Sequence, residues 1–130
     1  MPNIPVRILE IVEDEEQLLA VLSSQFDPGQ IKVITARDGE EGLALALREH
    51  PDFILLDLLM PKMDGLTMLK NLRADAWGKT VPVIILTVSK EAANVATALQ
   101  LGAFEYVVKS DHSLEEIVNR VKEKILAQKE

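Results

Sequence analysis

The chain has no cysteine, which excludes disulfide frameworks, thiolate chemistry and cysteine-bound zinc. Its two histidines, His50 and His112, belong to no spaced metal motif and read as surface residues. Aromatic residues are scarce: Phe26, Phe53, Trp77, Phe104 and Tyr106 complete the set. Any core must therefore be built mainly from leucine, isoleucine, valine and alanine. Basic residues do not dominate, and the net charge is −7. An acidic domain repels phosphate backbones, so direct nucleic-acid binding is not expected. No apolar run is long enough to cross a bilayer. Met1 to Arg7 lacks the basic, apolar and small-residue segments of a signal peptide. A soluble cytoplasmic protein is the expectation. Neither G-x-x-x-x-G-K nor G-x-G-x-x-G occurs, which argues against nucleotide binding. Solenoid repeats, low-complexity tracts and internal linkers are also missing.

What is present suits one compact domain over residues 1–130, with 48 % apolar residues to build a core. Short apolar runs recur at Ile8–Val12, Ile31–Thr35, Phe53–Leu56, Val81–Leu86 and Phe104–Val108. Most are rich in isoleucine and valine and bounded by turn residues, so they read as strands. Nearly continuous apolar runs suit parallel strands buried on both faces.

Helical periods lie between them. From Asp14 onward, Leu18, Leu22 and Phe26 repeat at a spacing of four, and Asp27-Pro28-Gly29 ends that helix. Asp38 with Glu41 resembles a capping box, followed by Leu43 and Leu47 on one face. Leu66, Leu69 and Leu72 line a third helix. A fourth runs from about Lys90 to Leu101, with Gly102 as its stop. The last opens with Ser113 and Glu116, a second capping box. Leu114, Ile117, Val118, Val121 and Ile125 form its apolar stripe.

Strand and helix thus alternate five times, which predicts an α/β fold of flavodoxin-like (βα)5 type. Its parallel sheet has order 2-1-3-4-5, with helices on both faces. In such sheets ligands bind beyond the carboxyl ends of the strands, near the switch in strand order. Strand 1 ends in Glu13-Asp14, strand 3 in Asp57, strand 4 in Thr87 and strand 5 in Lys109. Converging carboxylates are costly unless a cation neutralises them. Oxygen ligands without histidine or cysteine select magnesium or a similar hard ion. A hydroxyl at Thr87 and a point charge at Lys109 complete a site suited to phosphoryl transfer.

These residues sit in motifs that resemble the receiver domains of response regulators. The matching segments are Ile11-Val12-Glu13-Asp14-Glu15 and Leu55-Leu56-Asp57-Leu58-Leu59-Met60-Pro61-Lys62-Met63-Asp64-Gly65. Val81-Pro82-Val83-Ile84-Ile85-Leu86-Thr87, Leu101-Gly102-Ala103 and Tyr106-Val107-Val108-Lys109 follow. The resemblance covers essentially the whole chain, and the motifs fall in the right order on the right elements. Alone, Thr87 suits any strand end, Lys109 reads as a solvated lysine and Tyr106 as a core or rim aromatic. Asp14 alone reads equally well as the N-cap of the first helix.

The resemblance implies that Asp57 is phosphorylated by a sensor histidine kinase or phosphotransfer protein. It makes Glu13 and Asp14 the acidic pair that holds Mg2+ together with Asp57 and the Leu59 backbone carbonyl. Thr87 and Lys109 become the phosphoryl-binding residues. Tyr106 becomes an aromatic switch that turns inward when Thr87 moves, changing the face made by the fourth helix, fifth strand and fifth helix. An unknown downstream protein reads that face, and a homodimer through it is a further expectation. Gly65 suits the tight turn before helix 3. Such a domain catalyses only its own phosphoryl transfer and dephosphorylation. The chain is expected to carry no output domain, as a stand-alone or an excised receiver.

Two other readings compete. A haloacid-dehalogenase-type enzyme also uses an aspartate and magnesium, but needs a second acid two residues after the nucleophile, where this chain has Leu59. A degenerate receiver would act only as an interaction module. The intact Glu13, Asp14, Asp57, Thr87 and Lys109 argue against it.

Three positions depart from the family pattern. Ser110 replaces the proline usual after the lysine, so a trans peptide and an altered following loop are expected. Val88 stands where a small residue is common, so slower chemistry with small phosphodonors is expected. Glu10 lies inside a run that should be a central strand. Either it reaches a partner, such as a lysine of the last helix, or it is partly exposed at the strand edge.

Overall fold

Strands form where the apolar runs lie. The computed structural model describes residues 5–128. It contains β1 (Arg7–Val12), α1 (Glu16–Ser24), β2 (Ile31–Ala36), α2 (Gly39–Glu49), β3 (Phe53–Leu56) and α3 (Gly65–Ala74). These are followed by β4 (Val83–Thr87), α4 (Ala92–Gln100), β5 (Glu105–Val108), a 3-10 turn (Lys109–Asp111) and α5 (Leu114–Leu126). All strand pairs are parallel, in the order β2-β1-β3-β4-β5. The flavodoxin-like expectation and its strand order are both met.

Alternation along the central strands divides the core in two. Leu9 and Ile11 of β1, Phe53 and Leu55 of β3 and Ile84 and Leu86 of β4 face α1 and α5. Val12, Ile54, Leu56, Val83 and Ile85 face α2, α3 and α4. Every residue of β3 and β4 is buried, because both faces carry helices. Each fully buried leucine or isoleucine contributes about 1.5–3 kcal/mol. The stripe of α5 packs as expected, with Ile117, Val118, Val121 and Ile125 buried and a complete Ser113–Glu116 capping box. Gly102, at φ +77°, follows α4 in a left-handed conformation.

Several local expectations need correction. Asp14 is not the N-cap of α1; Glu15 holds that position without a capping side chain. Phe26 is buried but lies beyond α1, which ends at Ser24. At α2, Asp38 accepts from the Glu41 amide at 2.9 Å, which is half of a capping box. The buried residues of α2 are Gly39, Gly42 and Ala46; Leu43 packs half-buried against the same layer as expected, while Leu47 is exposed. Small residues win because α2 lies close to the sheet. A Cβ on Gly42 would come within 2.9 Å of Val12 Cγ1. The fourth helix is also shorter than its period suggested.

Glu10 meets neither of its expectations. It lies on a central strand between β2 and β3, is 0 % exposed, and neither carboxyl oxygen has a hydrogen-bond partner among the described residues. It points to the α2–α3 side of the sheet, as Val12 does, whereas α5 packs on the opposite face. A lysine of α5 therefore cannot reach it.

Arg73 ties the lower ends of two helices together. Its guanidinium donates to the carbonyls of Leu101 (2.7 Å), Gly78 (2.8 Å), Val81 (2.8 Å) and Gly102 (3.1 Å). One α3 side chain thus fixes both the approach to β4 and the turn after α4.

Candidate functional site

Parallel pairing places the carboxyl ends of β1, β3, β4 and β5 along one edge. Val12 pairs with Leu56 and Thr87 with Val108, so the residues after each strand meet there. The ladder continues one step further on each side of β1: Glu13 donates its amide to Ala36 and Asp57 donates its amide to Val12, both at 3.0 Å. These bonds fix the backbone from which Glu13 and Asp57 project.

Glu13, Asp14 and Asp57 converge, each offering a carboxylate oxygen within 4.8 Å of the others. Glu13 and Asp57 are buried and Asp14 is exposed. Lys109 Nζ lies 2.7 Å from Glu13 Oε1 and 3.2 Å from Asp57 Oδ2, and its side chain is only 15 % exposed. Burial pushes the Glu13 carboxyl above its ordinary range, against the opposing hydrogen bonds from Lys109 and the Glu15 amide. Burial is also the largest single influence on Lys109 and favours its neutral form, but the carboxylates of Glu13 and Asp57 together outweigh it and hold the ammonium charged. Three carboxylates against one ammonium leave the cluster with an excess of negative charge. The donor set is all oxygen, which fits a hard divalent cation.

The loop after β3 is shaped around Asp57. The Leu59 amide donates to Asp57 Oδ1 at 3.2 Å, and Leu59 itself is exposed. Gly65 opens α3 directly beneath: a Cβ there would lie 2.2 Å from the Asp57 carbonyl oxygen. Asp64 caps α3 by accepting from the Thr67 amide at 2.8 Å.

Thr87 is fully buried at the end of β4, and its Oγ1 accepts weakly from the Ser89 amide at 3.4 Å. Val88 beside it is 56 % exposed and flanks the site. Tyr106 is half-buried on the α2–α4 side of the sheet, and its hydroxyl donates to the Ser89 carbonyl at 2.8 Å. Asn94 of α4 donates to Ser89 Oγ at 2.8 Å. Ser89 thus links Thr87, Tyr106 and α4, a role that sequence reading missed. Its position two residues after Thr87, before a helix, was the available signal. Lys90, in the loop after β4, and Asp111, in the turn after β5, pair at 3.3 Å, both well exposed. All described peptide bonds are trans, including that between Lys109 and Ser110, as the missing proline implied. The segment after Lys109 takes up the 3-10 turn.

Comparison with known proteins agrees with this geometry. A family model described as the response regulator receiver domain matches residues 9–122. The probable transcriptional regulator ycf27 of Porphyridium aerugineum is 38% identical over 99 residues, 76% of this chain and 40% of the relative. The alkaline phosphatase synthesis transcriptional regulatory protein PhoP of Bacillus subtilis (strain 168) is 38% identical over 112 residues, 86% of this chain and 45% of the relative. The chain thus spans less than half the length of these relatives. Among solved structures, the Francisella response regulator 1452 receiver domain superposes with TM-score 0.81 at 28% identity, covering 95% of this chain and 99% of that one.

Proposed function

Because the chain belongs to the response regulator receiver domain family of two-component systems, we propose that it is a phosphorylation-dependent signalling receiver and that Asp57 is its phosphoacceptor. The observation that carries this reading is the buried Asp57 carboxylate, set among Glu13, Asp14 and Lys109 at one sheet edge. The donor is a sensor histidine kinase or a phosphotransfer protein.

Transfer breaks the donor's P–N bond and forms a P–O bond to an Asp57 carboxylate oxygen. The donor nitrogen keeps the bonding pair and takes up a proton. Glu13, Asp14 and Asp57 would hold Mg2+, with the Leu59 backbone carbonyl as a further ligand. The bound ion supplies charge neutralisation and alignment of the phosphoryl oxygens. Phosphorylation takes Asp57 from about one negative charge towards two. Lys109 then gains a stronger partner, and Thr87 turns its hydroxyl to the phosphoryl group. Movement of Thr87 pulls on the Ser89 segment, which Tyr106 and Asn94 hold. The face made by α4, β5 and α5 shifts between two populations.

That face addresses a downstream protein, and a homodimer through it is part of the proposal. The domain works as a signalling module and not as a turnover enzyme, does not itself contact nucleic acid, and acts in the cytoplasm. Among the described residues no helix is long and apolar enough to cross a membrane.

Incubation with acetyl phosphate and Mg2+, followed by intact mass measurement, tests the reading. The expected result is a gain of one phosphoryl group, lost when a chelator replaces the metal and lost in Asp57→Asn. No gain, or an equal gain in Asp57→Asn, contradicts it.

A further inference from the structure

Glu10 is a charged residue type in a place that offers a charge nothing. Its register neighbours are Ile34 of β2 and Ile54 of β3. The layer it faces holds Ala46 of α2 and Met68, Leu69 and Leu72 of α3, all fully buried. Glu41 of α2 is the charged group whose field reaches it, and its sign is the same. Lys32 of β2 falls on the same face by alternation but is exposed, and no donor reaches either Glu10 oxygen among the described residues. Lys122 and Lys124 of α5 lie against Phe26 and Phe104 instead.

An ionised carboxylate without a partner in such a site is far more costly than a neutral one. We propose that Glu10 is a proton-locked core residue: it is a neutral carboxylic acid in the folded domain, and raising the pH weakens the domain by driving that proton off. The site lies apart from Asp57, so the device acts on the whole fold and not on phosphoryl chemistry. Any condition that alkalinises the surroundings would loosen the receiver, whatever its phosphorylation state.

The direction follows from linkage. Burial, with a smaller contribution from Glu41, pushes the folded-state carboxyl up to about 9, from an ordinary value of 4.5. Between those values the folded protein holds a proton that the unfolded chain has released. Stability is therefore highest below the ordinary value and falls as pH rises, by up to about tenfold in the folding constant per pH unit. Above about 9 the loss levels off.

Urea unfolding of the native chain, Glu10→Gln and Glu10→Leu tests this at several pH values. Other titrating groups cancel in the ratio of variant to native folding constants. That ratio is expected to rise about a hundredfold between about pH 6 and about pH 8 for either variant. A ratio constant within about threefold over that interval overturns the proposal. Should the variants fail to fold, carbon NMR of the native Glu10 side-chain carboxyl gives the answer directly. A carboxylic-acid shift at neutral pH supports the proposal, and a carboxylate shift overturns it.

Discussion

Lys109 holds two acids at once, and its ammonium offsets part of the repulsion between them. Glu13 and Asp57 are almost fully buried, yet each keeps an ammonium oxygen contact within 3.2 Å. Without that ammonium, like charges at this range would drive one carboxyl to protonate. The residues flanking the cluster set access. Val88 is more than half exposed at its rim, where a smaller side chain would leave more room. Val88→Ala is expected to take phosphate from acetyl phosphate faster, read as the rate of mass gain; an unchanged or slower rate contradicts this. Far from the site, Arg73 carries a structural load out of proportion to its half-buried state. Its removal leaves four backbone carbonyls without their charged donor. Arg73→Ala is expected to cost about 2–3 kcal/mol in urea unfolding, the loss of charge-assisted bonds outweighing recovered side-chain freedom. A cost below about 0.5 kcal/mol would show that water replaces the guanidinium readily.

At the scale of elements, α4 is the least anchored helix. Ala98 is its one buried residue, Glu91 at the N-cap gives no side-chain hydrogen bond, and the last turn holds no basic residue to complement the helix dipole. What holds α4 is at its two ends: Asn94 and Tyr106 meeting Ser89 near the start, and the Arg73 contacts just past the finish. A helix held this way can shift when Thr87 moves without unpacking the core. Beryllofluoride with Mg2+, a phosphoryl mimic, is therefore expected to change amide NMR shifts over Val88–Phe104 and at Tyr106, with much smaller changes in α2. Spectra unchanged in that region would contradict the switch. How far the elements were legible follows from packing. Phe53–Leu56 was bounded correctly because all four residues are buried and the strand can be nothing else. The stripe of α5 was legible for a similar reason, since polar residues fill its other face. α2 was misread because its contact with the sheet uses Gly42 and Ala46, and small residues carry little hydrophobic signal. At α1 the helix starts one residue later than Asp14 would have it, with Glu15 at the N-cap, while Asp14 stays with the carboxylate cluster at the sheet edge.

Taken as a whole, the molecule places its chemistry at one end of the sheet and its stability in two apolar layers. Glu13, Asp14, Asp57 and Lys109 come together because three parallel strands, β1, β3 and β5, end at the same edge, and that convergence was readable once the strands were ordered. Ser89 was only half readable: its place two residues after Thr87 is a local signal, but the Tyr106 hydroxyl that meets its carbonyl and the Asn94 amide that meets its Oγ come from β5 and α4. Glu10 stands out in the sequence as a charge within an apolar run, but its burial with no hydrogen-bond partner among the described residues is a property of the assembled layers. Its neighbours come from β2, β3, α2 and α3, which are distant in sequence. The proton-locked core and the phosphoacceptor site are separable claims: one is read in stability against pH, the other in covalent chemistry at Asp57. The phosphoacceptor claim is tested most directly by locating the phosphoryl group. Borohydride reduces an aspartyl phosphate to homoserine, so peptide mass spectrometry of the phosphorylated, reduced protein identifies the acceptor. Homoserine at position 57 is the predicted result. Modification at Glu13 or Asp14 instead, or none anywhere after treatment with acetyl phosphate and Mg2+, would contradict the account.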